Sequence, residues 1–295
     1  MPIDGDVPLK VTPSNKSLGA EVGNLDVDCA TDNQIADIRE ALFRHLVVRI
    51  RGQSQLGATA YVKFASRFGD LEVMPAYAPV NYTAERLPPE ISVVSNVVEN
   101  GKAVGDHGNS ELKWHTDYAF SECPSHYTFL LGREVLPSGG NTCFTDMFRA
   151  YEKVPASLKP RLASLKLKHQ CSHNGTEGKW DRRRGYEDID TTDPRELPGP
   201  LHPIVRTHPE TGRKALYLGR RLGAYIPGLT LARSEALLDE LWSYAGSADD
   251  VWIQQWRLGD ILIWDNRWTM HRRDSLDGTG RRTMLHISTR GFRPT

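Results

Sequence analysis

The chain has 295 residues, of which 39% are hydrophobic and 25% charged, a composition that is typical of folded domains and excludes disorder as the default state. Its 37 Lys and Arg residues balance 37 Asp and Glu residues, so it lacks the basic excess of a nucleic-acid-binding protein. With no apolar run approaching the ~20 residues of a membrane helix and no secretory signal at the N-terminus, we expect a cytoplasmic protein with a small-molecule partner and neither a nucleic acid nor a membrane as partner.

The first quarter of the chain carries the clearest helical pattern. Thr31 and Gln34 have the form of a capping box and precede apolar residues at helical spacing, which predicts a helix over 32–44. A short apolar run over 46–50 predicts a buried strand. The pattern over 61–68, ended by a glycine, predicts a second helix.

Strands dominate the rest of the chain. Short runs rich in β-branched and aromatic residues predict strands over 91–97, 127–131, 142–145, 203–207, 215–218, 251–257, 261–264 and 283–289. The links 209–212 and 258–260 each place glycine in a hairpin-like turn. Helical patterns recur at about 146–165 and 231–245.

Many short strands without regular strand–helix alternation favour an antiparallel sandwich or barrel in a single domain over 1–295. The polar, glycine-bearing region 172–200 fits two interpretations equally well, a lid or plain disorder.

One tripeptide suggests a metal site. His115 and Asp117 stand two residues apart, and in an extended strand such side chains point to the same face, so both could bind one ion. A His-x-Asp arises by chance in many proteins, and a third ligand is required. His271 is a candidate, since two histidines and one carboxylate form the facial triad of non-haem Fe(II) oxygenases and leave three octahedral positions open.

The order of these motifs resembles that of the 2-oxoglutarate-dependent taurine dioxygenase and 2,4-dichlorophenoxyacetate dioxygenase (TauD/TfdA) family. Four motifs carry the resemblance: His115 with Asp117, the Gly-Gly-x-Thr match within 137–142, the segment 264–267 before His271, and Arg282, eleven residues after that histidine (282 minus 271). The resemblance extends from about Leu18 to Gly291, which is nearly the whole chain.

The resemblance implies a mainly β fold with peripheral helices, a double-stranded β-helix (jelly roll, cupin-like), with Fe(II) held by His115, Asp117 and His271. It implies 2-oxoglutarate and O₂ as co-substrates, with the far carboxylate of 2-oxoglutarate bound by Arg282 and the hydroxyl of Thr142. The planar fork of arginine suits a carboxylate better than the point charge of lysine. Since relatives are often dimers or tetramers, we also expect a homo-oligomer.

Two neighbours of these residues are expected to have other roles. Asp265 is a rival carboxylate, but its place in the family pattern is structural rather than ligating. The side chain of Arg281 should face the surface, because alternation along a strand sends it away from the side that Arg282 faces.

The resemblance also bears on the substrate. In the taurine enzymes four residues hold the sulfonate, and their positions align here with Met74, Tyr77, Asn96 and His286, so that two of the four contacts are changed. Loss of a charged partner from a polar pocket disfavours taurine. Members that cleave phenoxyalkanoate ethers include a branch with histidine at the position of His286, and Arg220 is a candidate clamp for a carboxylate, although a solvated Arg220 is an equally good interpretation. The candidate substrate-binding residues are Met74, Tyr77, Asn96, Arg220, Tyr225 and His286.

We therefore expect an Fe(II)- and 2-oxoglutarate-dependent dioxygenase that hydroxylates a small or medium organic anion, a phenoxyalkanoate-like carboxylate rather than taurine, and releases succinate and CO₂. Hydroxylation beside a heteroatom would break the carbon–heteroatom bond. The carboxylate of Asp117 favours hydroxylation over halogenation, since related halogenases have a small residue there. Three alternatives stay open: a natural-product or amino-acid-derived substrate, a non-catalytic jelly-roll module that binds metal and 2-oxoglutarate, and a zinc hydrolase with the same ligands.

Overall fold

Two β-sheets form the framework of the computed structural model, which describes residues 8–73, 82, 86–174, 181–182 and 186–295. The larger sheet contains, in spatial order, β1 (Lys10–Pro13), β2 (Ala20–Gly23), β3 (Val47–Ile50), β18 (Ile261–Asp265), β9 (Tyr127–Glu134), β20 (Thr283–Ser288), β4 (Ser92–Ser95) and β7 (Asp106–His107). The smaller sheet contains β17 (Trp252–Gln254), β10 (Thr142–Asp146), β19 (Thr269–Arg273) and β8 (Leu112–His115). The predicted mainly β jelly roll is confirmed.

Short ribbons of two antiparallel strands complete the β structure in the described ranges. They pair β5 (Val98–Glu99) with β6 (Lys102–Ala103), β11 (Lys166–Lys168) with β14 (Leu201–Pro203), β12 (His173–Asn174) with β13 (Asp181–Arg182), and β15 (Val205–Thr207) with β16 (Lys214–Leu216). A 3₁₀ turn covers Val27–Cys29.

Helices occur in the predicted regions, but one predicted helix is divided in two and the one predicted over 61–68 lies at Ala58–Ser66. The first, α1 (Asp32–His45), begins at the predicted capping box, in which Thr31 Oγ1 accepts from the Gln34 amide and Gln34 Oε1 accepts from the Thr31 amide. The remaining helices are α2 (Ala58–Ser66), α3 (Met147–Lys153), α4 (Lys159–Leu162) and α5 (Leu231–Ser243). None of the helices in these ranges has the length and apolar character needed to cross a bilayer.

The helix predicted over 146–165 is in fact two, and the reason is a proline. Val154 has the extended angles φ −62° and ψ 131°, which the following Pro155 favours in the residue before it. The chain therefore leaves the helical conformation after α3 and enters it again at α4. The prediction of one continuous helix over 146–165 was wrong, although the proline that causes the break is present in the sequence.

Two predictions about strands were wrong because pairing changes along the chain. The strand predicted over 203–207 divides at Ile204, whose amide bonds to Leu165 beside β11 and whose carbonyl bonds to Tyr217 beside β16. The link 258–260 joins β17 to β18, which belong to different sheets, so it is not a hairpin. The link 209–212 does join an antiparallel pair, β15 and β16, as predicted.

Alternating residues of the central strands separate two apolar clusters. In β18, Ile261 and Ile263 pack in the cluster that contains α1 and α2, whereas Leu262 and Trp264 pack in the cluster that contains the smaller sheet. In β9, Leu130 belongs to the second cluster, which places Thr128 on the same face. This face of the larger sheet borders the candidate site.

Candidate metal centre

The three predicted ligands lie together at the smaller sheet. His115 is the last residue of β8, and His271 on β19 is its direct register partner. Oδ1 of Asp117 lies 3.6 Å from Nε2 of each histidine, and the three ligand atoms lie within 4.8 Å of one another. In the part of the chain that the structure describes, this is the only group of three or more His, Cys, Asp and Glu residues that could hold a metal ion.

A turn, rather than strand alternation, brings Asp117 to the histidines. β8 ends at His115, and Asp117 begins a turn in which Tyr118 has a φ of 53°. Two hydrogen bonds hold this turn: the Thr116 amide donates to the Gly219 carbonyl at 3.2 Å, and the Asp117 amide donates to Asn266 Oδ1 at 3.4 Å. The prediction that both side chains project from one strand was therefore wrong in its geometry.

The protonation states suit a metal ion. Nδ1 of His115 lies 2.7 Å from the Lys113 carbonyl, and this contact orients the ring so that Nε2 faces Asp117. Burial lowers the pKa of His271 to about 3, with a further contribution from His115, so this imidazole is neutral at pH 7. Burial raises the pKa of Asp117, but the neighbouring imidazoles of His271, His115 and His286 outweigh it and hold that pKa well below its ordinary value.

These donors fit a divalent first-row metal ion. Neutral imidazoles and an ionised carboxylate are the forms that ligate such ions, and a set of two histidines and one carboxylate is typical of non-haem iron. With metal–ligand bonds of about 2.1 Å, adjacent ligands of an octahedral ion stand about 3.0 Å apart. The 3.6 Å separations of Asp117 Oδ1 need only a small contraction to reach that spacing.

Thr142, one of the two predicted co-substrate residues, lies two residues along the smaller sheet from the register position of His271. Thr142 and Phe144 are neighbours on the inner face of β10, and their register partners on β19 are Arg273 and His271. Two residues of strand correspond to about 6.8 Å. Thr142 therefore stands a short distance from the metal ligands, as required if one end of a small dicarboxylate reaches it.

A tryptophan joins Thr142 to Arg282. Trp256 Nε1 donates to Thr142 Oγ1 at 3.1 Å, and the guanidinium carbon of Arg282 lies 5.9 Å from the centre of the Trp256 ring. Arg282 Nε donates to the Gly140 carbonyl at 3.2 Å, which leaves the two terminal nitrogens for another acceptor. All three side chains are buried.

Arg282 is a buried cation that lacks a protein counter-charge. Its side chain is only 2% exposed, and no carboxylate in the described ranges lies within ion-pair distance of it. Burial, together with nearby Arg273, lowers the pKa of Arg282 to about 9, so the guanidinium stays charged at pH 7. By contrast, Arg281 is 55% exposed and pairs with Glu134 and Glu99. A buried charge is costly unless it is paired, which makes this pocket suited to an anionic ligand.

Two of the predicted substrate residues border the metal ligands. His286 on β20 places Nε2 3.8 Å from Asp117 Oδ2 and Nδ1 3.1 Å from Ser92 Oγ. Arg220 follows Gly219, whose carbonyl accepts a hydrogen bond from the Thr116 amide. The charge of Arg220 contributes to lowering the pKa of His271. The adjacent Arg221 points elsewhere, to Glu235 and Asp239 of α5.

Other predicted substrate residues have contacts within the protein. The side-chain NH₂ group of Asn96 donates to Asn109 Oδ1 at 2.9 Å and to the Gly280 carbonyl at 2.8 Å. Asn96 Oδ1 accepts from the backbone amide of Arg282. Both donors of Asn96 are thus used to fix the backbone beside Arg282. Tyr225 donates its hydroxyl to the Leu229 carbonyl at 2.6 Å and lies against β11. The roles of both residues in substrate binding stay predictions.

Some predictions lie outside the described residues. Met74 and Tyr77 are among them, as are 175–180 and 183–185 within the candidate lid. Asp265 lies in the described part and pairs with Arg267 at 2.6 Å, a structural contact of the kind expected for it.

Sequence reasoning missed three residues of the site. Trp256 joins the two co-substrate residues, while Thr128 and Asn266 hold Asp117: Thr128 Oγ1 donates to Asp117 Oδ2 at 2.9 Å, and Asn266 Nδ2 donates to Thr128 Oγ1 at 2.7 Å. Asn266 stands inside a family motif that the sequence displays. No local signal could have identified Thr128 or Trp256, because their roles depend on which strands lie side by side.

Comparisons with known proteins agree with one another. The chain matches the family described as "Taurine catabolism dioxygenase TauD, TfdA family" over residues 10–288. It is 31% identical over 296 residues to pentalenolactone F synthase of Streptomyces avermitilis, covering 92% of this chain and 91% of that protein. It is 30% identical over 283 residues to the alpha-ketoglutarate-dependent 2,4-dichlorophenoxyacetate dioxygenase of Burkholderia sp., covering 92% of this chain and 91% of that protein.

A solved structure is similar as well. The crystal structure of AAD-2 in complex with Mn(II) and N-oxalylglycine superposes with a TM-score of 0.77 at 26% identity, covering 98% of this chain and 100% of that one.

Proposed function

The chain belongs to the TauD/TfdA family of 2-oxoglutarate-dependent dioxygenases, and from this premise we propose that it holds Fe(II) with His115, Asp117 and His271 and hydroxylates a small or medium organic anion. The observation that carries the proposal is the convergence of these three ligand atoms within 4.8 Å. The overall reaction would convert a C–H bond, O₂ and 2-oxoglutarate into a C–OH bond, succinate and CO₂.

Each protein group has a defined task in this reaction. Fe(II) supplies the redox chemistry that activates O₂. Arg282 and Thr142 bind the far carboxylate of 2-oxoglutarate, so its keto acid end is directed toward the histidines. Trp256 keeps the Thr142 hydroxyl oriented by donating to it at 3.1 Å. The burial of these side chains excludes water from the co-substrate, which strengthens the charged contacts.

We propose that Arg220 binds the anionic group of the substrate. Its backbone is fixed beside the Asp117 turn, and its charge acts on His271, so a carboxylate bound there would lie near the metal. The similarity to a 2,4-dichlorophenoxyacetate dioxygenase supports a phenoxyalkanoate-like carboxylate. If the hydroxylated carbon carries the ether oxygen, the bond between that carbon and the ether oxygen would then break.

A natural-product acid is the second candidate substrate. It is supported by the similarity to pentalenolactone F synthase, which is as high as that to the phenoxyacetate enzyme. A panel containing both classes of acid, assayed for substrate-stimulated succinate formation, separates the two candidates.

The metal and the reaction class are tested without a known substrate. Addition of Fe(II) and 2-oxoglutarate in the absence of O₂ should produce a visible charge-transfer band, and slow succinate release should follow in air. Asp117→Ala should lose both signals. A protein that binds 2-oxoglutarate yet never forms succinate would be a non-catalytic module, and restoration of activity by zinc after chelation would indicate a hydrolase.

The clamp is tested by a matched pair of variants. Arg220→Ala should raise KM for the anionic substrate about 10- to 150-fold, since a hydrogen bond to a charged group contributes about 1.5–3 kcal/mol, while KM for 2-oxoglutarate stays unchanged. Arg221→Ala, which removes contacts to α5 instead, should leave the substrate KM unchanged. An unchanged substrate KM in Arg220→Ala would refute the clamp.

We also propose a single domain over 1–295, with 172–200 as a lid, in a homo-oligomeric cytoplasmic enzyme. Dimers or tetramers are expected from the family pattern. Size-exclusion chromatography with light scattering tests the oligomeric state.

A further inference from the structure

The two oxygens of the Asp117 carboxylate have different surroundings. Oδ1 lies 3.6 Å from both histidine Nε2 atoms, whereas Oδ2 accepts a hydrogen bond from Thr128 Oγ1 at 2.9 Å. Thr128 comes from β9 of the larger sheet and is fully buried. His286 Nε2 approaches the same side at 3.8 Å from Oδ2. Only one oxygen of the carboxylate is therefore directed at the metal position.

The direction of each hydrogen bond in this buried network is determined by its members. The Trp264 indole can only donate, and it does so to Asn266 Oδ1 at 3.0 Å, so the Asn266 NH₂ group must face Thr128. That group donates to Thr128 Oγ1 at 2.7 Å. Thr128 Oγ1 in turn donates to Asp117 Oδ2 at 2.9 Å, so the Thr128 proton points at that carboxylate oxygen. Ser288 Oγ lies 3.2 Å from Thr128 Oγ1 and donates a second hydrogen bond to this threonine oxygen.

We propose that Thr128 is a positioning residue that restricts Asp117 to one metal–oxygen bond. A carboxylate can bind a metal ion through one oxygen or two. With one, the three protein ligands leave three octahedral positions, which a bidentate keto acid and O₂ together need. With two, only two positions remain. The hydrogen bond from Thr128 competes for Oδ2 and so preserves the third position.

This inference rests on the metal assignment of the proposed function, and Mn(II) serves as the probe for both. Water-proton relaxation of the Mn(II)-loaded protein, normalised to bound Mn(II) by electron paramagnetic resonance, reports the number of water molecules on the ion. Thr128→Val keeps the shape of the side chain but removes the hydroxyl. Thr128→Ser retains the hydroxyl. Ser288→Ala is the matched control, since it removes a hydroxyl that contacts Thr128 rather than Asp117.

In Thr128→Val, relaxivity per bound Mn(II) should fall by about one third, because two water positions remain instead of three. Thr128→Ser and Ser288→Ala should match the wild type. If Thr128→Val fails to fold, Thr128→Ala removes the same hydroxyl and gives the same test. Three results would overturn the inference: a relaxivity in Thr128→Val equal to that of the wild type, an equal fall of relaxivity in Ser288→Ala, or a relaxivity in Thr128→Ser as low as that expected for Thr128→Val. Failure of the wild-type protein to bind Mn(II) would instead overturn the proposed metal centre.

Discussion

Substitution of Arg282 by lysine isolates the geometry of the co-substrate pocket from its charge. Arg282 Nε is used by the Gly140 carbonyl, so two terminal nitrogens are available to a carboxylate. Lysine keeps the positive charge but cannot form the two parallel bonds of a guanidinium. Losing one charge-assisted hydrogen bond, about 1.5–3 kcal/mol, should raise the Kd for 2-oxoglutarate about 10- to 150-fold.

Titration of the Mn(II)-loaded protein with 2-oxoglutarate, followed by calorimetry and by tryptophan fluorescence, measures this Kd. The guanidinium carbon of Arg282 lies 5.9 Å from the centre of the Trp256 ring, so we expect the fluorescence of this tryptophan to change on binding. Arg281→Lys is the control, because that side chain is 55% exposed and pairs with Glu134 and Glu99. The reasoning is refuted if Arg282→Lys binds 2-oxoglutarate as tightly as the wild type, or if Arg281→Lys weakens binding equally.

Three further predictions concern the residues around the site. Trp256→Phe removes the donor to Thr142 and should raise KM for 2-oxoglutarate about 2- to 10-fold in steady-state assays, the effect of one neutral hydrogen bond. Gly219→Ala should lower Tm more than Gly212→Ala: both glycines have positive φ, but an added Cβ would lie 2.2 Å from His169 Nδ1 at the first and in open space at the second. Burial lowers the pKa of His169 to about 3 in the folded protein. As pH falls below about 6.5, this histidine is therefore protonated in the unfolded chain but not in the folded one, which favours unfolding. Urea unfolding should show about 2 kcal/mol of stability lost between pH 6.5 and 5 through this residue, a loss missing from His169→Gln.

Local signals in the sequence predicted the elements whose causes are local. The capping box at Thr31 sets the start of α1, and the helical pattern at 231–245 matches α5. The break after Val154 could have been predicted too, since the following proline disfavours helical angles in the residue before it. By contrast, the division of a strand at Ile204 arises from partners that change from one ribbon to another, which no short window contains.

The same distinction applies to the site. The ordered motifs pointed to His115, Asp117 and His271, which the structure brings together, and to the pair Thr142 and Arg282, because a family pattern preserves spacing along the chain. Thr128 and Trp256 could not be found in this way. Thr128 meets Asp117 only because β9 of the larger sheet faces the turn that follows β8 of the smaller sheet, and Trp256 reaches Thr142 only because the strand before it, β17, pairs with β10.

The centre draws on both sheets in different capacities. The two histidines of the proposed metal centre belong to β8 and β19 of the smaller sheet, whereas Thr128 and His286, on the opposite side of Asp117, belong to the larger one. A metal ion bound here would connect the two halves of the sandwich through a single carboxylate. Binding of the metal ion should then slow amide hydrogen exchange in strands of both sheets. In Asp117→Ala, addition of the metal ion should no longer slow the exchange in either sheet.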